Sequence, residues 1–253
     1  MPNSPRLAGK ITLVTGAASG FGAGIARAYA REGATVVLAD LNEEGARSVA
    51  RDCGGLSVAV RCDVTRRADI DAAVQLVRER FGRLDVVVNN AGWTHRNRPL
   101  LEVDEETFDR VFDINVKSIF HMTHAVVPLM RAQGGGVILN VGSTAGIRPR
   151  PGLTWYNASK GAVNLLSKSM AVELGPDRIR VNAICPVIGE TALLEAFMGV
   201  PDTPENRAKF IATIPMGRLS RPDDVAAAAV FLASDEAAFI SGVEFPVDGA
   251  RTV

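Results

Sequence analysis

The chain has 253 residues, 47% of them hydrophobic, and its 28 basic residues offset 28 acidic ones. That length suits one α/β domain with a sizeable core. A net charge of zero, with both signs mixed along the chain, excludes the broad basic surface that nucleic acid or an anionic membrane would demand. Cys53, Cys62 and Cys185 are isolated and form no CxxC pair or Cys/His cluster, so no metal site is expected. They read as free thiols in a reducing cytosol. Residues 1–10 lack the apolar core of a secretory signal, and no run approaches the roughly 20 apolar residues of a membrane span. A soluble, cytoplasmic protein is the expectation.

Short apolar runs rich in Val and Ile occupy 11–14, 35–39, 56–60, 84–88, 137–141, 179–184 and 243–247. Each reads as a strand buried on both faces. Between them lie stretches with helical spacing, such as Ile25, Ala26, Tyr29 and Ala30, closed by Gly33. Ile70, Ala73, Val74, Val77 and Phe81, closed by Gly82, form another. Longer helices are expected over 108–130 and 156–174. The alternation predicts right-handed crossovers and a doubly wound, seven-stranded parallel sheet with helices on both faces. No linker divides it, so one domain spans 1–253. The rhythm breaks at 189–219, which contains Pro201, Pro204 and Pro215. A substrate lid is expected there.

The first strand runs into Thr15-Gly16-Ala17-Ala18-Ser19-Gly20-Phe21-Gly22, and a helix follows. Glycines at such a turn let backbone N–H groups approach a pyrophosphate, and the helix N-terminus adds its positive end. The spacing is GxxxGxG, and a plain tight turn would also satisfy it; its place between the first strand and first helix favours the phosphate reading. Gly16, Ser19, Gly20, Phe21 and Gly22 are therefore candidate cofactor contacts. The second strand ends at Asp40-Leu41. A carboxylate there accepts both adenosine-ribose hydroxyls of NAD and repels the 2′-phosphate of NADP. Capping of the next helix can fall to Asn42 instead. Asp63-Val64 and Asn89-Asn90-Ala91-Gly92 end the third and fourth strands, where ligands of open α/β sheets sit.

The fifth strand ends in Asn140-Val141-Gly142-Ser143, and Tyr156 and Lys160 follow downstream. An i, i+4 pair shares one helix face, with Cβ atoms about 6 Å apart. A free tyrosine titrates near 10 and is a poor base at neutral pH. An ammonium about 5 Å away, at an effective dielectric of about 20, favours phenolate by about 3 kcal/mol. That would pull the phenol down by about two pH units, toward the range where a general acid–base works best. Ser143 can hydrogen-bond a substrate oxygen as charge develops on it. The pair alone also fits a surface tyrosine and a solvated lysine.

Taken together, TGAASGFG, NNAG, Asn115 within a helix, Ser143 and Tyr156-Asn157-Ala158-Ser159-Lys160 resemble the short-chain dehydrogenase/reductase family, in its shorter, classical branch. The order and spacing match from Gly9 to Gly249. The resemblance implies a single-domain Rossmann-like fold and a catalytic set of Asn115, Ser143, Tyr156 and Lys160. In that set Tyr156 is the acid/base and Lys160 binds the nicotinamide ribose. Asn115 holds a water that links Lys160 to solvent. The resemblance also implies that Asp63 meets adenine and that Asn89, Ala91 and Gly92 line the cofactor groove. Pro186, Ile188 and Thr191 would then lie near the carboxamide.

Two residues depart from the family pattern. Pro186-Val187 stands where Pro-Gly is usual, and valine resists positive φ, so a different loop path is expected. Gly142 stands where serine is often found. The apolar residues of 189–219, with Trp93 and Trp155, suit an apolar or cyclic secondary alcohol or ketone. Arg148, Arg150, His95, Arg96 and Arg98 suit a carboxylate or phosphopantetheine instead. The leading expectation is an NAD-dependent enzyme that transfers hydride between nicotinamide and a secondary alcohol or ketone. The alternative is a 3-oxoacyl-thioester reductase using NADP. A non-catalytic dinucleotide-binding regulator has no need of the catalytic set. A sugar-nucleotide epimerase of the extended branch would usually continue into a longer C-terminal domain, whereas Val253 follows soon after the last strand. A small molecule is the expected partner, with neither nucleic acid nor membrane, and the family implies a homotetramer.

Overall fold

The computed structural model describes residues 5–253, so the first four residues of the 1–10 stretch and of the expected domain lie outside the described residues. One sheet contains β1 (Ile11–Thr15), β2 (Thr35–Asp40), β3 (Val58–Arg61), β4 (Val86–Asn89), β5 (Gly136–Val141), β6 (Ile179–Pro186) and β7 (Glu244–Val247). Its order is β3-β2-β1-β4-β5-β6-β7, and every pairing is parallel. Each run read from the sequence becomes a strand. The third starts two residues later than expected, because Leu56 stays exposed in the turn ahead of it.

The helices are α1 (Gly20–Arg31), α2 (Glu43–Cys53), α3 (Arg67–Phe81), α4 (Glu105–Phe112), α5 (Ser118–Gln133), α6 (Thr154–Leu174), α7 (Leu194–Met198), α8 (Pro204–Ile211) and α9 (Pro222–Ala233). Strand side chains alternate between faces, and the alternation sorts the core into two layers. Leu13, Val37, Val87, Ile138 and Val181 pack with α3, α5 and α6. Val14, Leu38, Val88, Leu139 and Ile184 pack with α1, α2 and α9. The single-domain doubly wound α/β fold expected from the sequence is the fold observed. No helix among the described residues is long and apolar enough to cross a membrane.

The helix expected over 108–130 is helical throughout, but its α-ladder is interrupted. A π-helical turn at Asp113–Lys117 separates α4 from α5. Asn115 lies in that turn, and its side chain is bonded to Trp93 and Ser159. Such turns add one residue to the helical ladder and often occur at functional sites.

The strand order reverses between β1 and β4, which opens a crevice at their carboxyl ends. Segment 189–219 folds beside this crevice as α7 and α8. With Val187 it forms a small core of its own, made by Leu194, Met198, Ile214 and Leu219.

Candidate active site

A cavity of about 440 Å³ lies over the crevice. Gly16, Ser19, Gly20 and Phe21 line one end of it. Gly16 has φ +64°, and a Cβ there would sit 2.9 Å from the Ala91 Cα. Only glycine fits that turn at low cost. Ser19 caps α1 through its backbone and spends no side-chain hydrogen bond on the cap, and the first turn of α1 carries no acid. The positive end of the helix is therefore left open to an anion. Gly22 does not reach the cavity. It is buried, and a Cβ on it would sit 2.1 Å from the Gly16 carbonyl oxygen. Its role is to let the turn fold tightly onto α1.

Asp40 and Leu41 line the cavity beyond this turn. Asp40 Oδ2 accepts from the Ala18 amide at 2.9 Å, and Oδ1 accepts from the Asn42 amide at 2.8 Å. Asn42 caps α2 by accepting from the Gly45 amide at 3.0 Å. Asp40 is thus spared for other partners, since a carboxylate offers about four acceptor sites. Asp63 and Val64 also line the wall. Partial burial pushes the Asp63 carboxyl up, but hydrogen bonds from the Thr65 hydroxyl and amide outweigh it and hold the group below its usual range.

Ala91 and Gly92 line the cavity as expected, but Asn89 does not. Its amide donates to Asn140 Oδ1 at 2.8 Å, and Asn140 donates to Ser167 Oγ at 2.9 Å, in a buried chain beneath the site. Asn90 lines the wall instead. Its side chain donates to the Thr15 and Gly16 carbonyls at 2.9 and 3.1 Å, tying β4 to the Gly-rich turn.

At the other end Ser143, Tyr156 and Lys160 share the cavity. All three are buried. Lys160 Nζ donates to the Val141 carbonyl at 2.7 Å and sits 5.9 Å from the centre of the Tyr156 ring. Burial pushes the Tyr156 phenol up to about 12, against a downward pull from the Ser143 hydroxyl. Burial pushes the Lys160 ammonium down to about 8. The expected lowering of Tyr156 by Lys160 is not seen, because desolvation of the buried phenol outweighs the pull of Ser143 and no contribution from Lys160 offsets it. Phe197 covers the phenol edge-on, with ring centres 5.0 Å apart.

Asn115 lies behind this wall rather than in it. Its Oδ1 accepts from the Trp93 amide at 2.8 Å, and its Nδ2 donates to the Trp93 carbonyl and to Ser159 Oγ, both at 2.9 Å. Ser159 in turn donates to the Tyr156 carbonyl at 2.8 Å. The side chain of Asn115 is thus committed to protein partners. Sequence reasoning passed over Ser159 and Asn90, although both stand inside motifs it quoted.

Pro186, Ile188 and Thr191 line the cavity. Val187 avoids positive φ, which only Arg178 and Ala250 adopt among the described non-glycine residues. The Val187 amide donates to the Val247 carbonyl at 3.2 Å, and its carbonyl accepts from Ser220 Oγ at 3.1 Å. The loop stays extended, so the valine does not divert the next residues from the crevice. Gly142 also has a local cause, since a Cβ there would sit 2.2 Å from Asn164 Oδ1.

Of the five basic candidates Arg150 alone lines the cavity, as does Trp93 but not Trp155. Arg96 donates to the Gly199 carbonyl and Arg148 to that of Arg251, while His95 is buried. Among the described residues no cluster of His, Cys, Asp or Glu could hold a metal ion.

Residues 16–251 match the family model described as enoyl-(acyl carrier protein) reductase. The chain is 49% identical to the 4-formylbenzenesulfonate dehydrogenase of Comamonas testosteroni, over 96% of this chain and 98% of that one. It is 40% identical to the 3-oxoacyl-[acyl-carrier-protein] reductase of Thermotoga maritima, over 98% and 100% of the two chains. The chain is a short-chain dehydrogenase/reductase. Its structure superposes on the NADH complex of a 3-ketoacyl-(acyl-carrier-protein) reductase from Brucella melitensis with a TM-score of 0.93, at 46% identity, over 98% of this chain and 100% of that one. This short-chain dehydrogenase/reductase is an enzyme of the oxidoreductase class that acts on CH–OH groups and their carbonyl counterparts.

Proposed function

We propose that this enzyme is an NAD(H)-dependent oxidoreductase interconverting a secondary alcohol and its ketone, with Tyr156 as acid/base. One observation carries the reading. A single cavity holds Tyr156, Ser143 and Lys160 at one end, and an open helix N-terminus with the Asp40 carboxylate at the other. A dinucleotide fits those residues, because the Gly16 turn leaves no room for a side chain and Ser19 has an unspent hydroxyl. When bound, nicotinamide dinucleotide supplies the hydride chemistry.

The α1 N-terminus with Ser19, Gly20 and Phe21 would hold the pyrophosphate. Asp40 would accept the ribose hydroxyls and repel a 2′-phosphate, which favours NAD over NADP. Asp63 and Val64 would meet adenine. Lys160 would meet the second ribose, and Pro186, Ile188 and Thr191 the carboxamide. At pH 7 the phenol of Tyr156, held up at about 12, keeps its proton, and Lys160, held down at about 8, remains mostly charged. The protein is thereby set to donate a proton from Tyr156 Oη to a carbonyl oxygen, with the Ser143 hydroxyl hydrogen-bonded to the same atom. Alcohol oxidation runs the proton the other way and is expected to quicken as pH rises.

Segment 189–219 would act as the lid over the substrate. Exposed Phe120 on α5 and exposed Leu165 and Val172 on α6 would pack against further copies in a homotetramer, which light scattering tests. The free thiols Cys53, Cys62 and Cys185 fit a cytoplasmic setting.

The similarity to 3-oxoacyl-thioester reductases favours a second reading, with a thioester substrate and NADP(H). A panel of secondary alcohols, ketones and 3-oxoacyl thioesters, read by absorbance of reduced nicotinamide with each cofactor, separates the two. Turnover of simple alcohols and ketones with NAD(H) is expected. Turnover confined to thioesters with NADPH would overturn the first reading.

A further inference from the structure

Arg150 lies in the loop between β5 and α6. Its carbonyl accepts from Asn157 Nδ2 at 2.8 Å, which fixes the loop to the residue after Tyr156. Its guanidinium is half-buried, donates to Thr213 Oγ1 at 3.3 Å and lies 5.4 Å from the centre of the Phe210 ring. Burial and the nearby charge of Arg251 push it down to about 10, and no acid counters them.

Arg251 deepens the imbalance. Its Nε and Nη1 are buried and have no hydrogen-bond partner. Arg148 holds its carbonyl at 2.8 Å, bringing a third guanidinium to the cluster. Asp248 is the one acid that acts on Arg251. Its carboxylate accepts instead from the Ala250 amide and from the Thr252 amide and hydroxyl, at 3.0, 2.8 and 2.7 Å. Cations held partly out of water are costly unless paired, and guanidinium N–H groups match oxyanions two at a time. The neighbouring cavity wall includes Leu153, Trp93 and Phe197, which suit a flat apolar body.

We propose that Arg150, backed by Arg251, binds an oxyanion, a carboxylate or sulfonate, borne by an aromatic substrate whose alcohol or carbonyl group reaches Tyr156. The site deepens the oxidoreductase reading and rests on it for the identity of the reacting group. Arg150 would then set specificity by reading the far end of the substrate.

The test uses calorimetric titration of the NADH-loaded enzyme with benzenesulfonate and with neutral benzenesulfonamide. Wild-type protein is expected to bind the anion at least tenfold more tightly, and Arg150→Gln to lose that preference. Arg150→Lys keeps part of it, because the charge remains and the paired geometry does not. Arg251→Gln weakens it in the same direction, as a second variant independent of the loop. In parallel, the ratio of kcat/KM for 1-(4-carboxyphenyl)ethanol over 1-phenylethanol should fall at least tenfold in Arg150→Gln. Equal binding of anion and amide by the wild type, or an unchanged preference in both glutamine variants, would overturn the proposal. An intact anion preference without turnover of any alcohol would instead sink the proposed secondary-alcohol activity and leave the oxyanion site standing.

Discussion

The two ends of the cavity are built from different material. At the Gly-rich end the contacts come from backbone, from a turn folded against α1 and from one carboxylate held by two amides. At the other end they come from buried, titratable side chains. Backbone donors cannot be protonated away, so the first end should hold its ligand over a wide pH range. Tyr156 and Lys160 are shifted in opposite directions by the same burial, so the second end is sensitive to proton concentration and to any loss of packing. On the proposed reading, binding and proton transfer should therefore be separable by mutation.

The sharpest break is expected from Tyr156→Phe. It keeps the ring against Phe197 and removes the proton that the proposed reaction exchanges. General acid–base groups contribute about 10² to 10⁴ in rate. A loss of about 10³ in kcat is expected, with affinity for NADH changed by no more than about threefold because Asp40 and the α1 N-terminus are untouched. Single-turnover kinetics and NADH fluorescence titration measure both. A large loss of NADH binding would show that the two ends are not independent.

Asp40→Asn probes the opposite end with a smaller effect. An asparagine keeps one acceptor for the amides of Ala18 and Asn42 and removes the charge. NAD affinity is expected to fall about tenfold, which is about 1.4 kcal/mol. NADP should lose less or gain, so the preference for NAD narrows. Measuring both dissociation constants isolates the charge, since damage to the turn would weaken both cofactors alike. An unchanged ratio would remove Asp40 from ribose recognition.

The same contrast explains what could be read from the sequence. The strands and the Gly-rich turn follow from periodicity and spacing, whereas Ser143, Tyr156 and Lys160 stand out as a set only through the family resemblance; the fold brings the three to one cavity. Asn89 and Asn90 show the limit. Adjacent strand residues face opposite ways, and spacing does not say which asparagine turns to the crevice. The π-helical turn at Asn115 depends on bonds to Trp93 and Ser159, which are distant in sequence. The sign of the Tyr156 shift depends on burial, which an i, i+4 pairing does not encode. Arg96 looked available for a substrate until α7 delivered the Gly199 carbonyl to it. Each miss lies where a contact between remote segments overrides a local pattern.

Ser159→Ala tests whether that remote network also tunes the chemistry, and its effect should be the smallest of the three. The hydroxyl accepts from Asn115 and donates to the Tyr156 carbonyl. Its loss leaves a buried amide donor short of a partner, at a cost of about 1–3 kcal/mol in stability. A purely structural role would lower Tm and leave the pH profile where it was. A positioning role predicts more, because a looser wall admits water beside Lys160. The burial that holds this ammonium down at about 8 would then weaken, and its pKa would rise toward the ordinary lysine value. Ketone reduction that needs charged Lys160 is lost as pH rises through that pKa, so its alkaline limb should move to higher pH while kcat falls about threefold at neutrality. Ser159→Thr keeps the hydroxyl and should restore the limb. A limb unmoved in the alanine variant, despite a lowered Tm, would confine Ser159 to holding the fold.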